Sequence, residues 1–260
     1  MKLRDRTFYD PEIPRFQTVA MQRLSDAVSQ GYRHHTGGIV SAEKAQKMVA
    51  KFAALYGLDL TANERWRQKK VGRANTRLII YPDRGAAAFR WWLLATPGDG
   101  PVHASMQLLD AGDRRQALTW GDRYELVQLP RKGGPARWTW RMTDLEREAW
   151  EERIRAAIRN RGDDDLLRQA IWSLQRIPGF AGLRDQVKLL RQEISAEWRR
   201  SRADADAMPA IPAFLGYVRK TSCEAFPLSQ VARRLGRGAK PFPRQQSTSP
   251  QEETAHEDAL

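Results

Sequence analysis

The sequence predicts an α+β protein in which N-terminal helices precede an antiparallel sheet of four to five strands and a C-terminal helical layer follows it. Three observations carry this. Up to about residue 71 the apolar residues recur at helical spacing. Between 76 and 142 short β-branched and aromatic runs are separated by Gly, Pro and Asp, with no helical pattern between them. From Thr143 the helical spacing returns. At 260 residues the chain is long enough to bury a substantial core.

Residues 1–14 read as an irregular arm broken by Pro11 and Pro14, and a helix is predicted over about 15–30. A turn is expected from Gly31 to Gly38. A second helix opens after Ser41, carries Ala45, Met48, Val49, Phe52 and Tyr56 on one face, and stops at Gly57. A short basic helix is predicted over about 61–71. The strand-like runs are 76–81, 88–95, 105–109, 124–129 and 137–142. Successive strands of this kind predict a meander. Thr143 and Glu146 form a T-x-x-E capping box that opens a helix to about 159, with Leu145, Ala149, Ile154 and Ile158 as its inner stripe. Another helix begins at Asp163-Asp164-Asp165 and ends at Pro178. A third, over about 182–203, places Leu183, Val187, Leu190, Ile194 and Trp198 on one face. Residues 209–235 read as a linker that suits an edge strand at 214–218 or a short helix. The Gly, Pro, Gln and Ser of 236–260 predict a disordered tail. The boundaries are thus a basic α+β domain over 1–142, a charge-balanced helical subdomain over 143–208, the linker and the tail.

Charge is distributed unevenly along this plan. The net charge is +13. Residues 1–142 hold 24 Lys/Arg against 13 Asp/Glu, whereas 143–208 hold 13 of each. Such asymmetry points to a polyanionic partner, most simply nucleic acid, DNA or RNA. No apolar run reaches the roughly 18 residues of a membrane span, and a secretory leader is not expected after Met1-Lys2-Leu3-Arg4. The single cysteine, Cys223, excludes an internal disulfide and suits a reducing cytoplasm. Arg outnumbers Lys 34 to 10, as GC-rich bacterial codon usage favours.

Arg65, Arg67, Lys69, Lys70, Arg73 and Arg77 are the foremost candidates for phosphate contacts, with Trp66 among them as a base-stacking residue or, by the commoner role, a core anchor. Arg137 and Arg141 alternate with Trp138 and Trp140, so they line the polar face of a strand, suited to a nucleic-acid strand. Trp91-Trp92 predicts a strand buried on both faces, or else a stacking role for Trp92. Arg233 and Arg234 open a basic arm. Arg33, His34, His35, Gly37 and Gly38 lead to Ser41 and read as a phosphate-binding turn at a helix start. Ile177-Pro178-Gly179-Phe180 resembles the hairpin turn of helix-hairpin-helix modules, with Ala181 in the place of its second glycine. Gly179-Phe180-Ala181-Gly182 is similar in spacing to the GxxG turn of KH modules. An ordinary helix stop with Phe180 in the core competes with both.

No cofactor motif or catalytic constellation stands out; one Cys with four His cannot build a conventional Cys/His zinc site, and for a His/carboxylate site at most one of the adjacent His34 and His35 is well placed. The acidic run at 163–165 suits helix capping rather than metal. The composition therefore predicts a cytoplasmic bacterial accessory protein that binds nucleic acid through phosphate contacts, without a catalytic role. Two alternatives remain: a protein-interaction subunit whose charge is incidental, and a nuclease with His34, His35 or His103 as base.

Overall fold

A four-stranded antiparallel sheet in the order β3–β4–β2–β5 stands between two layers. Its strands are β2 (His34–Ser41), β3 (Thr76–Pro82), β4 (Ala88–Ala95) and β5 (Leu109–Asp110). A three-stranded antiparallel sheet contains β6 (Thr119–Trp120), β7 (Tyr124–Arg131) and β8 (Gly134–Met142). A short ladder joins β1 (Glu12–Pro14) to β9 (Ala225–Pro227). The helices are α1 (Gln17–Ser29), α2 (Ala42–Tyr56), α3 (Ala62–Lys70), α4 (Pro101–Ser105), α5 (Asp144–Arg159), α6 (Asp165–Leu174), α7 (Ala181–Ser201) and α8 (Leu228–Gly236). This computed structural model describes residues 9–131, 133–160, 165–202, 207–211 and 224–244. Among them the protein is α+β with helices before and after the sheets, as its sequence predicts, and no helix is long and apolar enough to cross a membrane.

The alternation of β3 and β4 divides the interior. Ile79, Trp92 and Leu94 face a larger core shared with α1, the three-stranded sheet and α5–α7. Leu78, Ile80, Phe89 and Leu93 face a second core under α2 and α8. The Trp91-Trp92 pair thus serves both sides, the outcome expected of a strand covered on two faces. Trp91 meets Phe52 of α2 with ring centroids 5.3 Å apart. Trp92 stacks on Trp120 of the other sheet at 4.5 Å and donates its Nε1–H to the Thr119 carbonyl at 2.9 Å. The inner stripe of α7 is buried at all five expected positions, Leu183 to Trp198.

Several local expectations are corrected. The turn expected over 31–38 is confined to Gly31, and 34–41 forms β2. Gly37 and Gly38 pair with Trp92 and Trp91. A Cβ on Gly37 would lie 2.7 Å from the Trp91 carbonyl oxygen, and one on Gly38 would meet the Trp91 indole at 3.3 Å. These glycines admit a neighbouring strand rather than reverse the chain. The strand expected over 105–109 does not form: Ser105 ends helix α4, 106–108 are irregular, and only Leu109 joins β5. The expected meander is split, because β7 and β8 belong to a separate sheet and β2 intervenes between β4 and β5. On α5 the inner face is Trp150, Ile154, Ala157 and Ile158, while Leu145 is exposed. The capping box there is half formed. Thr143 accepts from Glu146 N–H, but the Glu146 carboxylate takes Arg123 and Trp150. Instead Thr61 and Glu64 of α3 make the reciprocal box.

The chain end also differs. Residues after Gly236, expected to be unstructured, pack as far as Pro243, whose carbonyl accepts from Arg15. Arg234 donates to the Lys240 carbonyl at 2.9 Å, and Phe242 sits against Tyr81 and Phe226. Residues 245–260 and the strand suggested at 214–218 lie outside the described residues. The outer edge of β8 is closed by Gln186 of α7, which accepts from Met142 N–H at 2.7 Å and donates to its carbonyl at 3.2 Å.

Candidate functional site

The layer over the smaller core carries an unusual density of unpaired cations. On α2, Lys44, Lys47 and Lys51 follow one another three and four residues apart, which places them on one exposed stripe about 10 Å long. One turn further, exposed Leu55 lines a cleft of about 450 Å³ together with Tyr56, Gln68, Arg73 and Asp99. Gln68 lies on α3 and Arg73 just beyond it, so this cleft joins the end of α2 to the basic helix. Lys69, Lys70, Arg67 and Arg73 are exposed there. On the neighbouring helix α8, Arg233 is exposed, as is Arg237 at its C-cap. None of these nine cations makes an ion pair among the described residues.

Local structure explains why they remain outward. α3 has no buried residue. It is held at its N-terminus by the Thr61–Glu64 box and underneath by backbone contacts. Arg65 donates to the Leu58 carbonyl at 2.9 Å, and Asn75 donates to the Arg65 carbonyl at 3.0 Å. Gly57, at φ +66°, ends α2 in the left-handed region and turns the chain toward α3. Trp66 is 57% exposed, with Lys70 Nζ lying 3.9 Å from its ring centroid. The core-anchor role expected for Trp66 is therefore overturned, because α3 turns no face inward.

The cations singled out in the sequence separate into two groups. Arg67, Lys69, Lys70, Arg73 and Arg233 are exposed with no ion pair among the described residues, Lys70 lying over Trp66. Four others have structural partners. Arg65 is tied to Leu58. Arg77 donates to Gln30 and stacks over Tyr32 with its guanidinium carbon 4.8 Å from the ring centroid. Arg141 pairs with Glu125 at 2.5 Å. Arg234 folds back the tail. Arg137 is exposed on β8, which belongs to the other layer, and its neighbour Thr139 is buried against Gly182 of α7. The polar face of β8 is thus partly covered by a helix. The lysines of α2 were missed by sequence reasoning, although their spacing was visible; attention to charge density favoured the arginines at 65–77.

The expected phosphate-binding turn does not form, since Arg33, His34, His35, Gly37 and Gly38 lie on or beside β2. Ser41 precedes α2 in extended conformation but makes no side-chain cap. His35 is buried and donates through Nε2 to the Gln116 carbonyl at 2.8 Å. Burial pulls its pKa below the ordinary 6.5, so the folded imidazole favours the neutral form. His34 and His103 meet edge to face at 5.1 Å, and His103 donates to the Thr96 carbonyl at 2.9 Å. Among the described residues no group of His, Cys, Asp and Glu is arranged to hold a metal ion. Phe180 and Gly182 are buried, so the turn at 177–183 acts as a core plug. In comparisons with known proteins, the chain matches no family model, no curated protein and no solved structure.

Proposed function

We propose that this chain binds DNA or RNA through phosphate contacts, as an accessory protein of the bacterial cytoplasm rather than as a catalyst. The observation that carries the reading is the run of unpaired cations from Lys44, Lys47 and Lys51 of α2 to Arg67, Lys69, Lys70 and Arg73, with Arg233 and Arg237 on the adjoining helix. Such a surface attracts a polyanion and releases its counterions on contact. The test is a salt titration of affinity for duplex and single-stranded DNA and RNA. Wild type is expected to lose affinity steeply, with a log–log slope of about −0.9 for each phosphate neutralised on duplex DNA. A variant with Ala at Lys44, Lys47, Lys51, Arg67, Lys69, Lys70 and Arg73 is expected to show a much shallower slope. Equal slopes for the two proteins would refute the reading.

A protein partner is the competing reading. Exposed Leu145, Trp172 and Leu189 on α5, α6 and α7 favour it. Association through that layer should survive high salt, which separates it from phosphate binding.

A further inference from the structure

We infer that the Trp66 ring is a stacking platform for an unpaired nucleobase, so that the preferred ligand is a single strand. The inference rests on the nucleic-acid reading above and adds the state of the ligand and the residue that selects it.

The argument begins with the tryptophans as a set. Of nine, six are buried and Trp91 packs against the core, leaving Trp66 and Trp172 exposed. Each exposed ring carries a cation on one face: Lys70 lies over Trp66, and Arg176 lies 3.1 Å over Trp172. Their surroundings differ. Trp172 sits on a helix whose inner face is buried in the larger core and whose Arg168 is paired with Asp165. Trp66 sits on α3, which contributes no buried residue, and its neighbours Arg67, Lys69, Lys70 and Arg73 have no acidic partner among the described residues. An indole of this size on a helix without a buried face exposes apolar surface at a cost to solubility, and the cation–π contact it makes is with Lys70 of its own helix.

The geometry around Trp66 matches a nucleotide. Lys70 occupies one face of the ring by a cation–π contact. An aromatic base has a π-face of its own to lay against the indole, and the phosphates on either side of it fall to Lys69, Lys70, Arg67 and Arg73. Bases inside a duplex have both faces occupied by their neighbours and offer none to an indole. Unpaired bases do, and stacking on an aromatic side chain is the usual source of single-strand preference. Because stacking tolerates any base, the preference should be for strand state rather than sequence.

The experiment measures affinity at fixed salt for four ligands: oligothymidylate, an abasic strand of the same length, a mixed-sequence RNA strand, and a duplex. The proteins are wild type, Trp66→Ala, Trp66→Phe and Trp172→Ala. Wild type should bind the thymidylate strand about tenfold more tightly than the abasic strand, which keeps the phosphates and lacks the bases. Trp66→Ala should abolish that difference and leave abasic and duplex binding unchanged. Trp66→Phe should retain part of it, and Trp172→Ala should behave as wild type. The inference is overturned if wild type does not distinguish the two strands, or if Trp66→Ala keeps the distinction; the ring would then belong to a protein contact. If wild type binds none of the four at low salt, the nucleic-acid reading itself fails, and this inference with it.

Discussion

The two helical layers of this protein use cationic side chains in opposite ways. In the α5–α7 layer five arginines are matched with carboxylates, Arg147 and Arg155 with Glu151, Arg159 and Arg200 with Glu197, Arg168 with Asp165, while Arg153 and Arg176 lie over Trp150 and Trp172. Glu197 is itself buried and also accepts from Ser201 at 3.1 Å, so it ties the end of α5 to the last turns of α7. On α2, α3 and α8 the exposed cations have no such partners among the described residues. Equal numbers of opposite charges stabilise a layer internally and leave little field outside it. Unmatched charges repel one another, reduce stability slightly and project a field. The comparison separates cations that hold the fold from cations available to a ligand, a distinction that net charge alone conceals.

The largest expected effect lies in the core between the layers. Trp140 is fully buried and donates its Nε1–H to the Met21 carbonyl at 2.9 Å. Trp140→Ala should lower unfolding free energy by about 3–5 kcal/mol in urea titrations, while leaving the affinity of the folded molecule for nucleic acid unchanged. The seven-fold Ala variant on the basic surface should do the reverse. Affinity at low salt should fall on the order of a hundredfold or more, with stability equal to or above that of wild type, because mutual repulsion is relieved. A loss of several kcal/mol in that variant would break the comparison, by showing that these cations are structural after all. Smaller again is the double change Arg159→Ala with Arg200→Ala. Both guanidinium groups are largely exposed, but the Glu197 carboxylate they leave behind is buried with Ser201 still donating to it, so the loss should be about 2 kcal/mol, with binding intact.

The smallest effect is pH-dependent and involves His35. Its folded pKa lies below 6.5 because burial disfavours the imidazolium. The unfolded chain therefore binds a proton at a higher pH than the folded one. The stability associated with this residue is fully present above about pH 6.5 and declines as the pH falls below it. His35→Gln, whose amide still donates toward Gln116, should show a flatter decline over pH 5 to 7 when unfolding is followed in parallel with wild type.

What was legible in the sequence follows from which signals are local. The α7 stripe, the ends of α1 and α2, and strands β3, β4, β7 and β8 were readable because periodicity and glycine placement reflect local geometry. Strand β2 was not. His34-His35-Thr36-Gly37-Gly38 has little β-propensity, and the strand exists because Gly37 and Gly38 accept the backbone and ring of Trp91, some fifty residues away. Likewise the expected stripe joins Leu145 and Ala149 to Ile154, although nine residues place Leu145 on the opposite side of the helix from Ile154; the buried side of α5 is the one that carries Trp150 and faces α7. At the candidate site, charge along the chain located Arg67, Lys69, Lys70 and Arg73. It gave no way of knowing that Arg65, Arg77, Arg141 and Arg234 would be captured by carbonyls, amides or carboxylates that become neighbours only after folding.

The stacked pair Trp92–Trp120 has a spectroscopic consequence. Two indoles 4.5 Å apart and 23° from parallel have electronic transitions that mix, producing adjacent circular-dichroism bands of opposite sign in the ultraviolet. One ring belongs to the four-stranded sheet and the other to the three-stranded sheet. The couplet therefore gauges their docking, and it would vanish in an intermediate that kept each hydrogen-bonded ladder while the two sheets came apart.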